Sequence, residues 1–412
     1  MAGEQEARYY CGIDVGTENV RCVIGRASKK PGSLPKIVGY GKSKNFGMRK
    51  GVVIDPVSVA QGVDAALAEA EKVGGVSVDG ATFSVNGVSL RSTYSKGSVV
   101  IADGQAISVK DADQAVEVAS AVQLANNQRV IDLVTGSFCL DGREKTQDPT
   151  GMLASRLEAE VVALTASEIH LRGLEKAINT ANINCDGLQP AVRAAAEAIL
   201  SREEREMGVV FVDMGAQTTS LAVYEEGELQ KICVVGMGSA NVTNDLAIGL
   251  RVNIKLAEEI KLNYAQVGTK VDSHAIFEVE HGTENYTFKL KDVDVIVSAR
   301  LEEIFEKLAK ELNKLGKRGR LPGGVVLSGE GSGVKGLEEV ACDVLELPSK
   351  KADVDNYETS TGDILGPEWS AAVGLMLFDD KVFSQSNRGG TGLLDQLFDR
   401  GKKILFKPKK QK

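Results

Sequence analysis

The fold of this chain is decided by residues 9–25, which read YYCGIDVGTENVRCVIG. An apolar run ends at Asp14, a short polar turn containing Gly16 follows, and a second apolar run comes after it. Strand, glycine turn and strand in this order predict a β-hairpin. Residues 209–224, VVFVDMGAQTTSLAVY, repeat the same build with Asp213 and Gly215 in the corresponding places. A pattern repeated half a chain apart predicts two similar halves that face one another.

Both halves also contain segments with helical apolar spacing, at residues 57–73, 171–182, 242–262 and 295–315. An insertion is predicted between residues 83 and 167, with strands at 99–102, 133–140 and 157–164 around a helix at 111–125. This alternation of strands and helices predicts an α/β fold in which helices pack on the faces of sheets.

The two hairpin turns have residue types that suit a phosphate site. Glycine lets the backbone approach a ligand closely, and successive N–H groups can surround a phosphate. A bare carboxylate would repel that phosphate, so Asp14 and Asp213 fit if Mg²⁺ and its water shell separate each carboxylate from the phosphates. Either turn alone could be an ordinary hairpin turn, but two copies favour a nucleotide site. The candidate residues are Gly12, Asp14, Gly16, Thr17, Glu18, Asn19, Asp213, Gly215, Ala216, Gln217 and Thr218.

Three further motifs follow in the second half. Residues 234–245, VVGMGSANVTND, lead into a helix whose far end carries AEEIK at 257–261. Residues 325–332, VVLSGEGS, predict a strand that runs into a glycine turn able to lie against a nucleoside, and residues 367–375, PEWSAAVGL, predict a small-residue helix suited to close packing between the halves. These motifs add as candidates Gly236, Gly238, Ser239, Asp245, Glu258, Lys261, Gly329, Glu330 and Gly331.

The ordered set of two phosphate turns, a connecting helix, an adenosine turn and a second connecting helix resembles the actin, sugar-kinase and heat-shock ATPase superfamily. Within it the chain resembles the FtsA family over essentially its whole length. The resemblance is carried by FSVNG at 83–87, SVVI at 98–101, GM at 151–152 and RLEAE at 156–160, by residues 238–261, and by a polar linker followed by an amphipathic C-terminal segment.

This resemblance implies an actin-like (ribonuclease H-like) two-lobed fold that binds ATP and Mg²⁺ and has at most slow ATPase activity. It implies subdomain 1A at residues 1–83 and 167–205, an inserted subdomain 1C at 84–166, subdomain 2A at 206–255 and 322–380, and subdomain 2B at 256–321. It further implies a filament-forming protein that tethers the FtsZ ring to the inner face of the cytoplasmic membrane at the division site. Such a protein would also help to recruit later divisome proteins.

The chain departs from the family pattern at both nucleotide turns. The family usually has Gly-Gly-Gly-Thr-Thr-Asp after the second phosphate aspartate, whereas Gly215 is followed here by Ala216 and Gln217. The adenosine turn usually has adjacent glycines, whereas Glu330 separates Gly329 from Gly331. Nucleotide binding is still expected, but fast hydrolysis is not. Gln217 could position a water molecule or be a bystander.

Charge is distributed unevenly along the chain. The net charge is −8, which argues against a general nucleic-acid binder, yet residues 400–412 carry seven basic side chains and no acidic one. A basic end on an acidic body is typical of an interaction tail.

The N-terminal residues lack the apolar core of a signal peptide. The six cysteines are scattered without a Cys-x-x-Cys pair, which predicts buried thiols in a reducing cytosol.

The C-terminal segment has the pattern of a helix that lies on a membrane surface. A flexible linker is predicted at 381–391 and an amphipathic targeting tail at 392–412. At 100° per residue one face collects the large apolar residues Leu393, Leu394, Leu397, Phe398, Ile404 and Leu405. One copy would be a weak anchor, whereas many copies on one filament would bind firmly. The alternative is a helix that packs on its own domain.

Residues 295–304, VIVSARLEEI, resemble the FtsA segment that receives the C-terminal tail of FtsZ. Carried over, Arg300 would pair with an acidic group of that tail; the alternative is an exposed arginine at a helix start.

Two other kinds of protein in this superfamily are alternatives: a PilM-like adaptor of type IV pilus assembly, and a sugar kinase, for which no sugar-binding motif is visible. The three histidines show no metal-ligand spacing.

Overall fold

The structure is a computed structural model. Two five-stranded sheets form its frame. The first sheet contains β1 (Tyr9–Val15), β2 (Asn19–Arg26), β3 (Lys36–Lys44), β6 (Gly80–Val85) and β11 (Asn184–Pro190), in the order β11-β6-β1-β2-β3. The second contains β12 (Val209–Met214), β13 (Thr219–Glu225), β14 (Glu228–Val235), β17 (Val325–Ser328) and β18 (Ser349–Lys351), in the order β14-β13-β12-β17-β18.

The two sheets have the same topology. In each, the opening strand pairs antiparallel with the second strand and the second with the third, while two later strands add in parallel on the other side. The repeat predicted from the two Asp-x-Gly turns is therefore confirmed. We call each sheet with the helices on its faces a lobe.

The helices follow the predicted periodicity in position but not always in length. They are α1 (Pro56–Gly74), α2 (Val109–Ser120), α3 (Glu168–Thr180), α4 (Ala191–Ile199), α5 (Arg202–Met207), α6 (Ser239–Leu250), α7 (Ile254–Tyr264), α8 (Leu290–Lys314), α9 (Leu337–Leu345) and α10 (Ser370–Leu377), with single 3-10 turns at Glu330–Gly333 and Pro367–Trp369. The continuous helical spacing predicted over 242–262 is divided into α6 and α7. Arg251 ends α6 in a left-handed conformation, and Asn253 caps α7 by accepting from the Leu256 N–H.

Alternation along the strands places different residues on the two faces of each sheet. In β12, Val209 and Phe211 pack into the core shared with the first lobe, whereas Val210 and Val212 pack against α6 to α9. Strands that are buried on both faces read as continuous apolar runs, which is why the hairpins stand out in the sequence.

Two helices cross between the lobes. The chain enters α4 from the last strand of the first sheet, yet α4 packs against β12 and β13 of the second sheet. The chain enters α10 after the second sheet is complete, yet α10 packs against β1, β2 and β6 of the first. The two helices also pack closely on each other, as the small residues of α10 predict.

The insertion forms its own sheet, in the order β7-β10-β8-β9, covered by α2. Its strands are β7 (Arg91–Val100), β8 (Gln128–Leu140), β9 (Glu144–Thr146) and β10 (Arg156–Ser167). Two small hairpins complete the described structure, β4 (Met48–Arg49) with β5 (Val52–Val53), and β15 (Ile276–His281) with β16 (Glu284–Lys289).

The structure describes residues 8–28, 34–102, 104–268, 272, 274–282, 284–354, 359–360, 362–363 and 365–379. The predicted linker at 381–391 and the amphipathic tail at 392–412, including Leu393, Leu394, Leu397, Phe398, Ile404 and Leu405, lie outside these residues. Of the six cysteines predicted to be buried, Cys11 and Cys22 are buried and Cys139, Cys233 and Cys342 are partly buried. The prediction is wrong for Cys185, which is exposed on β11.

Candidate functional site

The two predicted phosphate turns close in the same way. In the first, the Gly16 N–H donates to the carbonyl oxygen of Asn19 at 3.0 Å. In the second, the Gly215 N–H donates to the carbonyl oxygen of Thr218 at 2.9 Å. Each turn joins the two central strands of its lobe, so the frame that is common to both sheets presents both turns in equivalent positions.

The charge of Asp14 in the first turn acts on Asp213 in the second. We call the region between these two turns, where the lobes meet, the cleft. Burial, and secondarily the charge of Asp14, raises the pKa of Asp213 to about 7. Burial also raises the pKa of Asp14, against the opposing effects of Ser84 and Arg21. Two buried carboxyls whose ionisation is disfavoured by burial form a site that a bound cation would stabilise.

Arg21 lies at the centre of this cleft and was missed by the motif analysis. It stands opposite Asp14 in the β1–β2 register, and its side chain is only 7% exposed. Its positive charge opposes the rise that burial causes in the pKa values of Asp14 and Asp213. The signal that could have found it is a single arginine within the apolar strand NVRCVIG, two residues after Asn19 and therefore on the same face.

The tip of the β4–β5 hairpin joins the two turns. The Lys50 N–H donates to Oε1 of Gln217 in the second turn at 2.9 Å. The next N–H, that of Gly51, donates to Oγ1 of Thr17 in the first turn at 3.2 Å. Lys50 and Gly51 both have positive φ, as a two-residue hairpin turn requires. The amide of Gln217, considered for water positioning, thus makes a contact between the lobes.

The predicted adenosine turn packs directly on the second predicted phosphate turn. Gly329 has φ +85°, and a Cβ there would stand 2.4 Å from Oδ1 of Asp213. A Cβ on Gly331 would stand 2.5 Å from Cγ of Met214. Glycine is required at 329 both by this close approach and by its backbone conformation.

Glu330 points across the cleft to the first lobe. Its Oε2 accepts from Nη2 of Arg21 at 2.8 Å and from Nδ2 of Asn19 at 3.3 Å, and Nζ of Lys42 lies 3.6 Å from its Oε1. Burial acts to raise the pKa of Glu330, but Arg21 and Lys42 outweigh it and hold that pKa below its ordinary value. The carboxylate is therefore ionised at neutral pH.

The start of α6 supports the second turn. The Ser239 N–H donates to the carbonyl oxygen of Gly215 at 2.9 Å, and the Ala240 N–H donates to that of Ala216 at 2.8 Å. A Cβ on Gly238 would stand 2.4 Å from the Gly215 oxygen. These carbonyls satisfy the first N–H groups of the helix.

Other predicted residues have different surroundings. Gly12 lies within β1 against the α10 backbone, where a Cβ would stand 2.2 Å from the Ala372 oxygen. Gly236 packs beside Val88. Glu258 and Lys261 pair at 2.8 Å and both bond Thr243 at the α6–α7 contact. Glu18 accepts through its backbone oxygen from the Asn45 N–H at 2.8 Å.

Asp245 and Arg300 contact each other on neighbouring helices. The guanidinium of Arg300, within α8 rather than at its start, donates through Nε and Nη2 to both carboxylate oxygens of Asp245 on α6. Its Nη1 donates to Glu303 one turn further along α8. The two residues that were assigned to different sites therefore share one.

Buried polar atoms in the cleft fit a nucleotide and its cation. Oδ1 of Asp14, Oδ1 of Asn19 and Nε of Arg21 have no hydrogen-bond partner among the residues that the structure describes. Buried polar groups normally have partners, so these atoms indicate a polar ligand or water. Within the same residues there is no cluster of three or more His, Cys, Asp or Glu that could hold a metal directly, and no helix suited to crossing a membrane.

Comparisons with known proteins agree with this architecture. Residues 210–374 match the family model described as "Cell division protein FtsA", and residues 87–165 match the one described as "SHS2 domain inserted in FTSA". FtsA of Bacillus subtilis strain 168 is 31% identical over 377 residues, which cover 90% of this chain and 83% of that protein. FtsA of Pseudomonas aeruginosa is 29% identical, covering 92% of this chain and 91% of that protein.

Solved structures of low identity share the fold. The PilM-PilN type IV pilus biogenesis complex superposes with a TM-score of 0.62 at 17% identity, covering 89% of this chain and 97% of that one. MreB5 of Spiroplasma citri bound to ADP superposes with a TM-score of 0.55 at 11% identity, covering 93% and 99%. At such identities the likeness shows the fold alone, so the PilM match does not favour a role in pilus assembly.

The duplicated lobes, the crossing helices and the insertion define the class, which is that of actin-like proteins. Within this class the chain belongs to the FtsA family of cell division proteins. The family and the two-lobed fold predicted from the sequence are both confirmed.

Proposed function

We propose that this chain is an ATP-binding, filament-forming scaffold that tethers the FtsZ ring to the inner face of the cytoplasmic membrane at the division site and helps to recruit the divisome. The observation that carries the nucleotide part is the approach of the two phosphate turns, which the Lys50–Gly51 hairpin tip joins. Atoms of Asp14, Asn19 and Arg21 beside these turns have no hydrogen-bond partner among the described residues. The proposed subdomains keep the ranges predicted above, with the insertion as subdomain 1C and α7 to α8 in subdomain 2B.

The residues present would hold a nucleotide with magnesium. The N–H groups around Gly16 and Gly215 would contact the phosphates, Arg21 would offset their charge, and Asp14 and Asp213 would hold the water shell of Mg²⁺. The bound cation would offset the negative charge of these two neighbouring carboxylates. The MreB5 neighbour, which shares the fold, is described as bound to ADP.

A scaffold fits the site better than a rapid ATPase. Gln217 is the candidate for positioning a water molecule, and its Oε1 already accepts from the Lys50 N–H. ATP would then act mainly to fix the relative orientation of the lobes, and Asp14, Asp213 and the hairpin tip would transmit its presence from one lobe to the other.

The proposed FtsZ surface combines apolar and basic groups at the α6–α8 contact. Ile248 on α6 is 77% exposed and Val295 on α8 is 59% exposed, and they lie on the helices that Asp245 and Arg300 join. An arginine has five N–H donors, of which Arg300 engages three with Asp245 and Glu303. The remaining donors could pair with an acidic group of the FtsZ tail.

One experiment tests tethering as a whole. The full chain with Mg-ATP is mixed with anionic vesicles and a labelled FtsZ C-terminal tail peptide, and the pelleted peptide is measured. We expect the peptide to pellet only when the chain is present. Arg300→Ala should leave the chain on the vesicles but release the peptide, whereas Leu397→Asp in the proposed tail should release both. Arg172→Ala, on the exposed face of α3, is the matched arginine control.

The outcomes separate the parts of the proposal. Failure of the parent chain to pellet would overturn membrane tethering. Pelleting of the chain without the peptide would overturn the FtsZ assignment. Loss of peptide in Arg300→Ala is interpreted only if its circular dichroism and thermal unfolding match those of the parent, since Arg300 also joins α6 to α8.

A further inference from the structure

We propose that Glu330 is an internal anion that competes with the nucleotide phosphates for Arg21 and thereby sets how tightly this chain binds nucleotide. The proposal rests on the nucleotide site proposed above and deepens it. Its ligand class is a nucleoside polyphosphate with a divalent cation. Glu330 would act as an affinity-determining residue, not as a catalytic one.

The first argument is position. Glu330 follows β17 of the second lobe, whereas its three partners, Arg21, Asn19 and Lys42, lie on β2 and β3 of the first lobe. Its side chain therefore bridges the two lobes. A ligand that contacts Arg21 from within the cleft meets a cation that already has a carboxylate partner.

The second argument is charge. Arg21 is buried, and three carboxylates act on or contact it: Asp14, Asp213 and Glu330. A magnesium ion would offset the two aspartates. It would not offset Glu330, which would face the added negative charge of the phosphates with Arg21 and Lys42 as its cationic partners. Binding is then opposed by the carboxylate of Glu330, because like charges in a partly buried site repel strongly.

The third argument is that the carboxylate of Glu330 has room to move away from Arg21 when a phosphate takes its place. The side chain of Glu330 is 43% exposed and that of Lys42 is 41% exposed, whereas that of Arg21 is 7% exposed. Glu330 can turn towards solvent and keep Lys42 as its partner, while Arg21 stays in place for the phosphate. Without ligand, the carboxylate of Glu330 thus bridges the two lobes. When ligand binds, that carboxylate releases Arg21.

The test compares the parent chain, Glu330→Gln and the control Glu338→Gln in binding Mg-ATP, measured by displacement of a fluorescent ATP analogue. Glutamine preserves the size and keeps one acceptor oxygen but removes the charge. The control also removes a partly exposed glutamate of the second lobe, but its partner Lys351, 3.6 Å away, lies in the same lobe. We expect Glu330→Gln to bind about tenfold more tightly, a difference of about 1.4 kcal/mol, and Glu338→Gln to match the parent within about twofold.

A second measurement separates competition from general loosening of the fold. Thermal unfolding without nucleotide should show a lower midpoint for Glu330→Gln than for the parent, because the bridge between the lobes is weakened. With saturating Mg-ATP the two midpoints should converge or change order. A variant that merely damages the fold would have a lower midpoint under both conditions and weaker binding.

Each outcome decides something. Equal or weaker ATP binding by Glu330→Gln, with the parent binding normally, would overturn the competition while leaving the nucleotide site intact. Binding by Glu330→Gln but not by the parent would support both. Absence of binding in all three proteins would overturn the proposed nucleotide function and, with it, this inference.

Discussion

His170 shows how one buried side chain can make the stability of the whole chain depend on pH. It lies on α3 and is 2% exposed. Its Nδ1 accepts a hydrogen bond from the Val53 N–H at 3.2 Å, so that nitrogen must be unprotonated. Burial lowers the pKa of His170 to about 4, against 6.5 for a free imidazole. The folded protein therefore holds this ring neutral well below neutral pH.

We predict that His170→Asn makes unfolding less sensitive to acid. Between pH 6.5 and 4 the unfolded chain binds a proton at His170 that the folded chain does not, so stability falls as the pH falls through this window. From pH 7 to pH 5 the loss from this residue is about 2 kcal/mol. Urea unfolding at both pH values should show a difference smaller by that amount in the variant.

The exposed His274 provides the control for this prediction, because its side chain is 95% exposed. His274→Asn should show the pH dependence of the parent. If His170→Asn shows it as well, the ring is already protonated in the folded state or is not a determinant of acid sensitivity.

At this scale the sequence predicted the two turns that contain Asp14 and Asp213 and the glycines that pack around them, because the residues of a turn are adjacent in the chain. It did not predict Arg21 as the partner of Glu330, since these residues come together only when the lobes meet. Nor did it predict that Asp245 and Arg300 would pair, because that contact depends on how α6 lies against α8.

At the level of elements, the contact between α10 and its neighbours depends on glycines, which have no side chain to separate the backbones. A Cβ on Gly374 would stand 1.8 Å from the carbonyl oxygen of Ala194 in α4. On the opposite side, β1 approaches α10 through Gly12. The backbones therefore touch on both sides of a helix that is buried throughout.

We predict that Gly374→Ala lowers the free energy of unfolding by at least about 2 kcal/mol, because the added methyl must push two backbone segments apart. Chemical denaturation measures the loss. Gly333→Ala is the matched control, since a Cβ at that position meets no atom within 4 Å and its φ is not positive. Equal stability of the two variants would mean that α10 can shift without loss of packing.

Element types were largely predictable, while their ends and order in the sheets were less so. The apolar runs predicted both hairpins because these strands are buried on two faces. The break between α6 and α7 was not predicted, because Arg251 adopts the left-handed conformation usually taken by glycine. The exchange of α4 and α10 between lobes was also not predicted beyond close packing, since periodicity does not tell which sheet a helix covers.

At the scale of the whole molecule, Arg193 joins parts that are distant in the chain. Its guanidinium pairs with Asp132 of the insertion and donates to Oε1 of Gln189 on β11 at 2.9 Å. It also lies over the ring of Phe378, 4.9 Å from the centroid, just after α10. Asp132 in turn accepts from Nε2 of Gln189 at 2.9 Å, so the network is closed and buried.

We predict that Arg193→Ala destabilises the chain by about 3–5 kcal/mol, because it leaves the carboxylate of Asp132 buried without a cation. The matched control is Arg172→Ala, whose ion pair with Glu168 is exposed and should contribute less than about 1 kcal/mol. Urea unfolding compares the two. A loss of similar size in both variants would show that the insertion docks independently of this network.

The crossing of α10 onto the first sheet also has a consequence for biosynthesis. One face of β1, near the start of the chain, stays open until residues 370–377 have left the ribosome. At translation rates of about 5–20 residues per second that wait is roughly 20–70 s, during which an apolar sheet face remains available to other chains. The first lobe therefore cannot complete its packing until α10 has been synthesised.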